Sequence, residues 1–318
     1  MKKWLKRILY FLLFIFIFIN VVAAFHAYKF THFYDEKTVH TRKPEQMNGW
    51  EKTKVILTGV DYAKRPITDV PAASFDDVTI KTGDGIDIKA WDLQQDHAKG
   101  TVIMFHGHGS TRSGMVAEAN AFYQMGYNVC AVDFRAHGKS EGNVCTVGFD
   151  EIADVKAAYH YVVRKGETNT ILWGISMGAA AITHTLYDDK SIKPSRVMLE
   201  MPFGSLEDAV EARIRMMNLP EQPIATLLTF WGGLQQGFWA FDFKPSEYAR
   251  AINVPVLLQW GRNDSRVSED ETNAVFDNLG AVDKRLVIYE NSGHESLLKK
   301  EPAKWVTNVT AFMAAYDH

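Results

Sequence analysis

Ile8 to Phe25 reads ILYFLLFIFIFINVVAAF, eighteen residues in which Asn20 is the only strongly polar side chain. At about 1.5 Å per residue a helix of that length is roughly 27 Å long, close to the hydrocarbon thickness of a bilayer. No face of it is polar, so the pattern predicts a membrane span rather than a helix half-buried on a soluble domain. Lys2, Lys3, Lys6 and Arg7 precede the run and predict a cytoplasmic N-terminus, with the rest of the chain translocated. Tyr28 and Phe30 extend it toward an interfacial aromatic belt. The competing reading is a secretory signal peptide cleaved near VVAA, which would release the chain. The apolar run exceeds a usual signal core, which favours an uncleaved anchor over residues 1–28.

Residues 29–71 are mixed and polar, and THFYDEKTVHTRKPEQ reads as a tether followed by an arm on the domain edge. From residue 72 the pattern changes. FDDVTIKTGDGIDIKAWDLQ alternates around TGDG and predicts a β-hairpin. Short apolar strands then alternate with helical stretches: TVIMF, YNVCAVDF, TILW, RVMLE, VPVLLQW and KRLVIY are the strands. Strands apolar throughout and separated by helices predict an α/β fold with a mostly parallel sheet covered on both faces. Ligands of such sheets collect at the carboxyl ends of the strands.

The chain has 318 residues, 47% of them hydrophobic, enough for a sizeable core. A formal charge of −3 gives no electrostatic reason to expect nucleic acid. The two cysteines have no metal-ligand spacing, and Cys130 lies in an apolar strand, as a buried free thiol would; pairing with Cys145 needs an oxidising compartment. The eleven histidines form no zinc motif, and neither GDG nor HGHG has dinucleotide-binding spacing, so no metal or organic cofactor is expected.

The chemistry gathers at strand ends. In LWGISMGA a β-branched strand runs into Gly174-Ile175-Ser176-Met177-Gly178 and then into a helix. That strand–turn–helix context suits an exposed nucleophile, with Gly174 and Gly178 allowing strand and helix to approach closely. Asp264 follows the strand VPVLLQW and His294 follows KRLVIY. In the order Ser176, Asp264, His294, the imidazole would take the serine proton and the carboxylate would hold its tautomer. The N–H groups of Met177 and His108 are the expected oxyanion donors, His108 belonging to the loop His106-Gly107-His108-Gly109 after VIMF. His106 is expected to brace that loop.

The stretches FHGHG, VDFRAHGKSEG, GISMG, GRNDSRV and SGHE, in this order from about Phe75 onward, resemble the α/β-hydrolase superfamily, in particular its serine aminopeptidase, monoacylglycerol lipase and esterase-like group. Ala136 replaces a glycine of the commoner R-G-H-G-x-S form, and Ser268 stands where a proline is frequent. The resemblance implies a catalytic domain over 72–318 with a short cap at about 202–248. Within that cap SLEDAVEARIRMMNLP reads as a helix with a capping box at Ser205 and Asp208. Phe230, Trp231, Phe238, Trp239 and Phe241 are candidates for an acyl or aromatic pocket.

The expected protein is therefore a membrane-anchored serine hydrolase acting on a small acyl ester. A peptidase of the aminopeptidase type is the alternative, with Glu200, Glu207 and Asp208 as candidates to hold a substrate amine. A catalytically silent membrane-tethered binding domain is the reading from outside enzymology.

Overall fold

The computed structural model describes residues 3–35 and 48–316. Lys3–Thr31 is a single helix, α1, and most of its large side chains from Trp4 to Phe25 are exposed. Among the described residues it is the one helix long and apolar enough to cross a membrane. Strand β1 (Phe33–Tyr34) follows at once, then helix α2 (Gly49–Thr58), then strand β2 (Tyr62–Ala63), which pairs parallel with β1. Asn48 and Glu51 close a reciprocal capping box at the start of α2.

Much of the expected tether, residues 36–47, lies outside the described residues. Its first part is not loose. Phe33 is buried, its N–H bonds to the Asn143 carbonyl at 2.8 Å, and the Cys145 N–H bonds to the Thr31 carbonyl at 2.8 Å. The reason lies in the side chain, because the Phe33 ring packs on His108 and His137, deep in the domain that follows.

That domain is built on strands β3 (Asp76–Lys81), β4 (Asp87–Leu93), β5 (Thr101–Phe105), β6 (Asn128–Asp133), β7 (Thr170–Ile175), β8 (Arg196–Glu200), β9 (Val256–Gly261) and β10 (Lys284–Tyr289). Its helices are α3 (Val116–Gln124), α4 (Ile152–Arg164), α5 (Met177–Asp188), α6 (Leu206–Met216), α7 (Ile224–Gln236), the short α8 (Pro245–Tyr248), α9 (Glu269–Asn278), the short α10 (Leu297–Lys300) and α11 (Pro302–Ala314). The sheet order is β10-β9-β8-β7-β5-β6-β4-β3. The β3–β4 hairpin is antiparallel, β4 runs against β6, and every other pairing is parallel. Strands β5 to β9 are buried along their length except at Ile175, the last residue of β7, which is why their sequences carry no alternation. Strand β5 lies between β6 and β7, so the chain leaves it to one side and returns on the other. At such a reversal the carboxyl ends of neighbouring strands open a crevice.

Helices α6 and α7 sit between β8 and β9, within the expected cap. Ser205 caps α6 by accepting from the Asp208 N–H, but the Asp208 carboxylate accepts the Ser205 hydroxyl at 2.6 Å instead of reaching back to the main chain. The cap is tied to α1 over half that helix. Trp231 donates to the Asn20 side chain at 3.1 Å, Gln235 to the Ala24 carbonyl at 2.9 Å, and Gln236 to the Thr31 hydroxyl at 3.2 Å. Asn20, the polar interruption in the apolar run, is thus a docking residue.

Under the carboxyl end of β8 lies a buried acid. Glu200 Oε1 accepts from the Trp173 and Trp305 indoles at 3.1 and 2.8 Å and from the Gln259 amide at 3.0 Å. Burial, reinforced by the nearby Glu118, pushes its pKa up to about 8. A carboxyl raised in this way stabilises the fold fully below its unfolded value near 4.5, and that stabilisation is lost as pH rises through about 8. Glu200→Gln, which keeps an acceptor for the indoles and cannot ionise, is expected to raise the melting temperature at pH 8.5 and change it little at pH 5. A variant no more stable than wild type at pH 8.5 would show that Glu200 ionises there without cost.

Candidate active site

The chain turns from β7 into α5 through Ser176, whose backbone has φ +53° and ψ −115°. A non-glycine residue rarely adopts positive φ, and here the neighbours leave no alternative. A Cβ on Gly174 would lie 2.6 Å from the Gly178 carbonyl carbon, and one on Gly178 would lie 2.2 Å from the Phe105 oxygen. Helix α5 therefore presses on β7 and β5, and Ser176 is lifted above the sheet. Its own N–H is held by the Glu200 carbonyl at 2.8 Å.

The loops after β9 and β10 meet beside it. The Asn263 N–H bonds to the Ser292 carbonyl and the Arg262 N–H to the Tyr289 carbonyl, fastening the two loops together. The result is a continuous chain of hydrogen bonds: Ser176 Oγ to His294 Nε2 at 2.9 Å, and His294 Nδ1 to Asp264 Oδ2 at 2.7 Å. The other oxygen of Asp264 accepts the N–H groups of Arg266 and Val267 at 2.7 and 3.0 Å, and its side chain is fully buried. With both oxygens engaged, the carboxylate is fixed in orientation. Ser176, Asp264 and His294 are thus brought together as the sequence predicts.

The loop after β5 rests on three neutral histidines. His106 Nε2 accepts the Phe134 N–H and its Nδ1 donates to the Gly107 carbonyl. His137 Nε2 accepts the Gly109 N–H and its Nδ1 donates to the Arg135 carbonyl. His108 Nδ1 accepts from Arg213 at 3.1 Å, and its ring stacks on Phe30 of α1 with centroids 4.7 Å apart. Burial holds all three pKa values down, His137 to about 4, and the Arg213 cation adds to the effect on His108. Among the described residues, neither the His108 nor the Met177 backbone N–H has an acceptor. Ala136, where the resemblance expects glycine, takes φ +61°, so the loop keeps a glycine-like backbone despite the methyl group.

Several expectations change. The narrow pocket at Ser176 is lined by Phe30, Phe203, Leu206, Val210, Arg213 and Arg266 among others, and by none of the five aromatic candidates. Of the five, Phe238 lines a larger, mostly apolar neighbouring cavity and stacks on Phe149. Trp231 faces α1, Phe230 packs on Trp231 and Trp239, Trp239 is 58% exposed, and Phe241 packs on Trp239. The cause is helical phase. On α7 the cavity side carries Leu228, Thr229, Gly232, Gly233 and Gln236, a single stripe at 3.6-residue period that excludes 230 and 231. Phe30 lies over the site rather than in an interfacial belt, a placement that no local pattern announced. Arg213 was equally hidden inside an ordinary amphipathic helix.

The acids proposed to hold an amine do not converge on the pocket. Glu200 is occupied by indoles, Glu207 accepts from Thr226, and Asp208 is engaged with Ser205. Cys130 and Cys145 are free and buried, and burial raises both thiols.

A family model described as serine aminopeptidase, S33, matches residues 96–229. The fold is similar to a Pyrococcus furiosus esterase, with TM-score 0.66 and 23% identity, covering 80% of this chain and all of that one. The chain has the α/β-hydrolase fold, and these similarities support a hydrolase. It is also 25% identical over 234 residues to the Bacillus subtilis protein YqkD, spanning 72% of this chain and 76% of that protein. Caffeoylshikimate esterase of Arabidopsis thaliana is 24% identical over 252 residues, spanning 64% of this chain and 73% of the plant enzyme. In this fold, the contact between Gly178 and Phe105 should tolerate no side chain. Gly178→Ala is expected to cost about 1–3 kcal/mol or more in urea unfolding. A cost near zero would mean that α5 can shift away from the sheet freely.

Proposed function

We propose that the chain is a membrane-anchored serine hydrolase that cleaves carboxylic esters through an acyl-enzyme on Ser176. The observation that carries this reading is the unbroken chain from the Ser176 hydroxyl through His294 to the fully engaged Asp264. Ser176 Oγ attacks the ester carbonyl carbon while its proton passes to His294 Nε2. The N–H groups of His108 and Met177 receive the oxyanion that forms. Collapse of that intermediate breaks the carbon–oxygen bond to the alcohol, which leaves with the proton from His294. A water then attacks the acyl-enzyme by the same route, its proton going to His294, and the acid departs as Ser176 is reprotonated. Asp264 holds Nδ1–H toward itself, so that Nε2 is the free base in the first step.

Helix α1 is the anchor, its basic flank on the cytoplasmic side and the α/β domain on the other face of the membrane. The domain division follows: anchor 1–28, connecting segment 29–71, and catalytic domain 72–318 with the cap at about 202–248. Esters are favoured over peptides because the acids available to hold an amine are already engaged.

A fluorophosphonate probe should label the wild-type protein and leave Ser176→Ala unlabelled. Asp264→Asn, which disturbs the imidazole tautomer, is expected to lower kcat on an ester by on the order of 10³–10⁴. Equal labelling of wild type and Ser176→Ala would overturn the assignment of the nucleophile.

A further inference from the structure

A cavity of about 550 Å³ adjoins the site, walled by α1, α2, α6 and α7. Its size falls within the roughly 300–1,000 Å³ of small-molecule pockets. Its surface is mostly carbon, from Val55, Ile56, Ile214, Leu219, Leu228 and their neighbours. The polar side chains of its lining are largely engaged elsewhere: His26 with the Ile56 carbonyl, Lys29 with Asp61, Gln236 with Thr31. Among the described residues, the Thr229 hydroxyl is buried without a partner. Five residues, Phe30, Val147, Leu206, Val210 and Arg213, line both this cavity and the narrow pocket that holds Ser176 and His294. These five side chains form the neck between the two adjacent spaces, with the nucleophile on one side and an apolar chamber on the other.

The chamber exists only because α1 is there. His26, Ala27, Lys29, Phe30 and Thr31 supply one wall, and Phe30 reaches the neck, where Arg213 lies 4.8 Å from its ring centre. The same helix docks on α7 from Asn20 onward, eleven residues or roughly 17 Å before Thr31. With residues 8–25 in a bilayer, Trp231 and the adjoining face of α7 lie at membrane depth. The chamber begins just beyond that depth, beside residues 26–31, and an apolar space there takes up hydrocarbon in preference to water.

We infer that this cavity holds the acyl chain of a single-chain, long-chain ester drawn from the membrane, and that the C-terminal turns of the anchor helix form part of that binding site. The inference rests on the serine-hydrolase reading of Ser176. The carbonyl sits at Ser176, the chain passes the neck into the cavity, and the alcohol portion leaves on the Arg266 side of the narrow pocket. One chamber of this size fits one chain, so a monoacyl ester is the substrate class.

Gly232 makes this testable. It lines the cavity, and a Cβ built on it meets nothing within 4 Å. Gly232→Phe therefore fills the chamber without a clash at its base. The full-length protein in phospholipid nanodiscs would be assayed on p-nitrophenyl esters from acetate to palmitate, with fluorophosphonate labelling of the same samples. Wild type is expected to gain roughly fourfold in kcat/KM for each methylene buried, until the chamber is full. Gly232→Phe should lower the ratio of dodecanoate to acetate kcat/KM at least tenfold while Ser176 still labels. Ala27→Phe, from the opposite wall, should shift the ratio in the same direction. Labelled variants with the wild-type chain-length profile would overturn the cavity assignment alone. Failure of the wild type to label would overturn the Ser176 reading and this inference with it.

Discussion

Between the backbone of Gly178 and the carbonyl oxygen of Phe105 there is no room for one further carbon atom. That contact brings the first turn of α5 against β5 and β7 and forces the left-handed backbone at Ser176. The groups proposed for catalysis are then all set by strand ends. The loop after β5 brings the His108 N–H, the turn after β7 the hydroxyl and the Met177 N–H, and the joined loops after β9 and β10 the acid and the base. Strain at one residue is tolerated because a closely packed parallel sheet surrounds it.

A second layer stands behind these groups. His106 and His137 accept main-chain N–H bonds through one ring nitrogen and donate through the other, so each is useful only when neutral. Burial enforces that state. The buried guanidiniums perform a similar service with charge. Arg112 stacks on Trp91 and pairs with Asp133 at the end of β6, and Arg135 joins Asp154 to Asp84. Each pair also bonds main-chain N–H groups, which is what makes a desolvated ion pair tolerable.

The sheet and the hydrogen-bonded set of Ser176, His294 and Asp264 were legible in the sequence because each is a local matter. A buried strand shows as an apolar run: GISMG and GRND continue directly from β7 and β9, and SGHE follows the half-buried edge strand β10 after two residues. The residues around the pocket were not legible, for two physical reasons. The phase of α7 decides which of its side chains face inward, and a stretch as uniformly apolar as ATLLTFWGG carries no phase. Phe30 and Phe33 meet His108 across more than seventy residues of sequence, and such contacts leave no mark on the local pattern. The polar stretch after α1 read as a tether because its composition is that of one, whereas the single aromatic ring of Phe33 is enough to fasten its start.

That fastening changes what an anchor does. The start of the connection is held by the Phe33 ring, by the bond from the Phe33 N–H to the Asn143 carbonyl and by the pairing of β1 with β2. Helix α1 and the domain are therefore joined like a post and its platform, not like a float on a line. Once the helix stands in a bilayer, the height of Ser176 above the lipid surface is a property of the fold. On the proposed reading the search for substrate is two-dimensional, by diffusion within the plane of the membrane, and molecules dissolved further out meet Ser176 only by approaching that surface themselves.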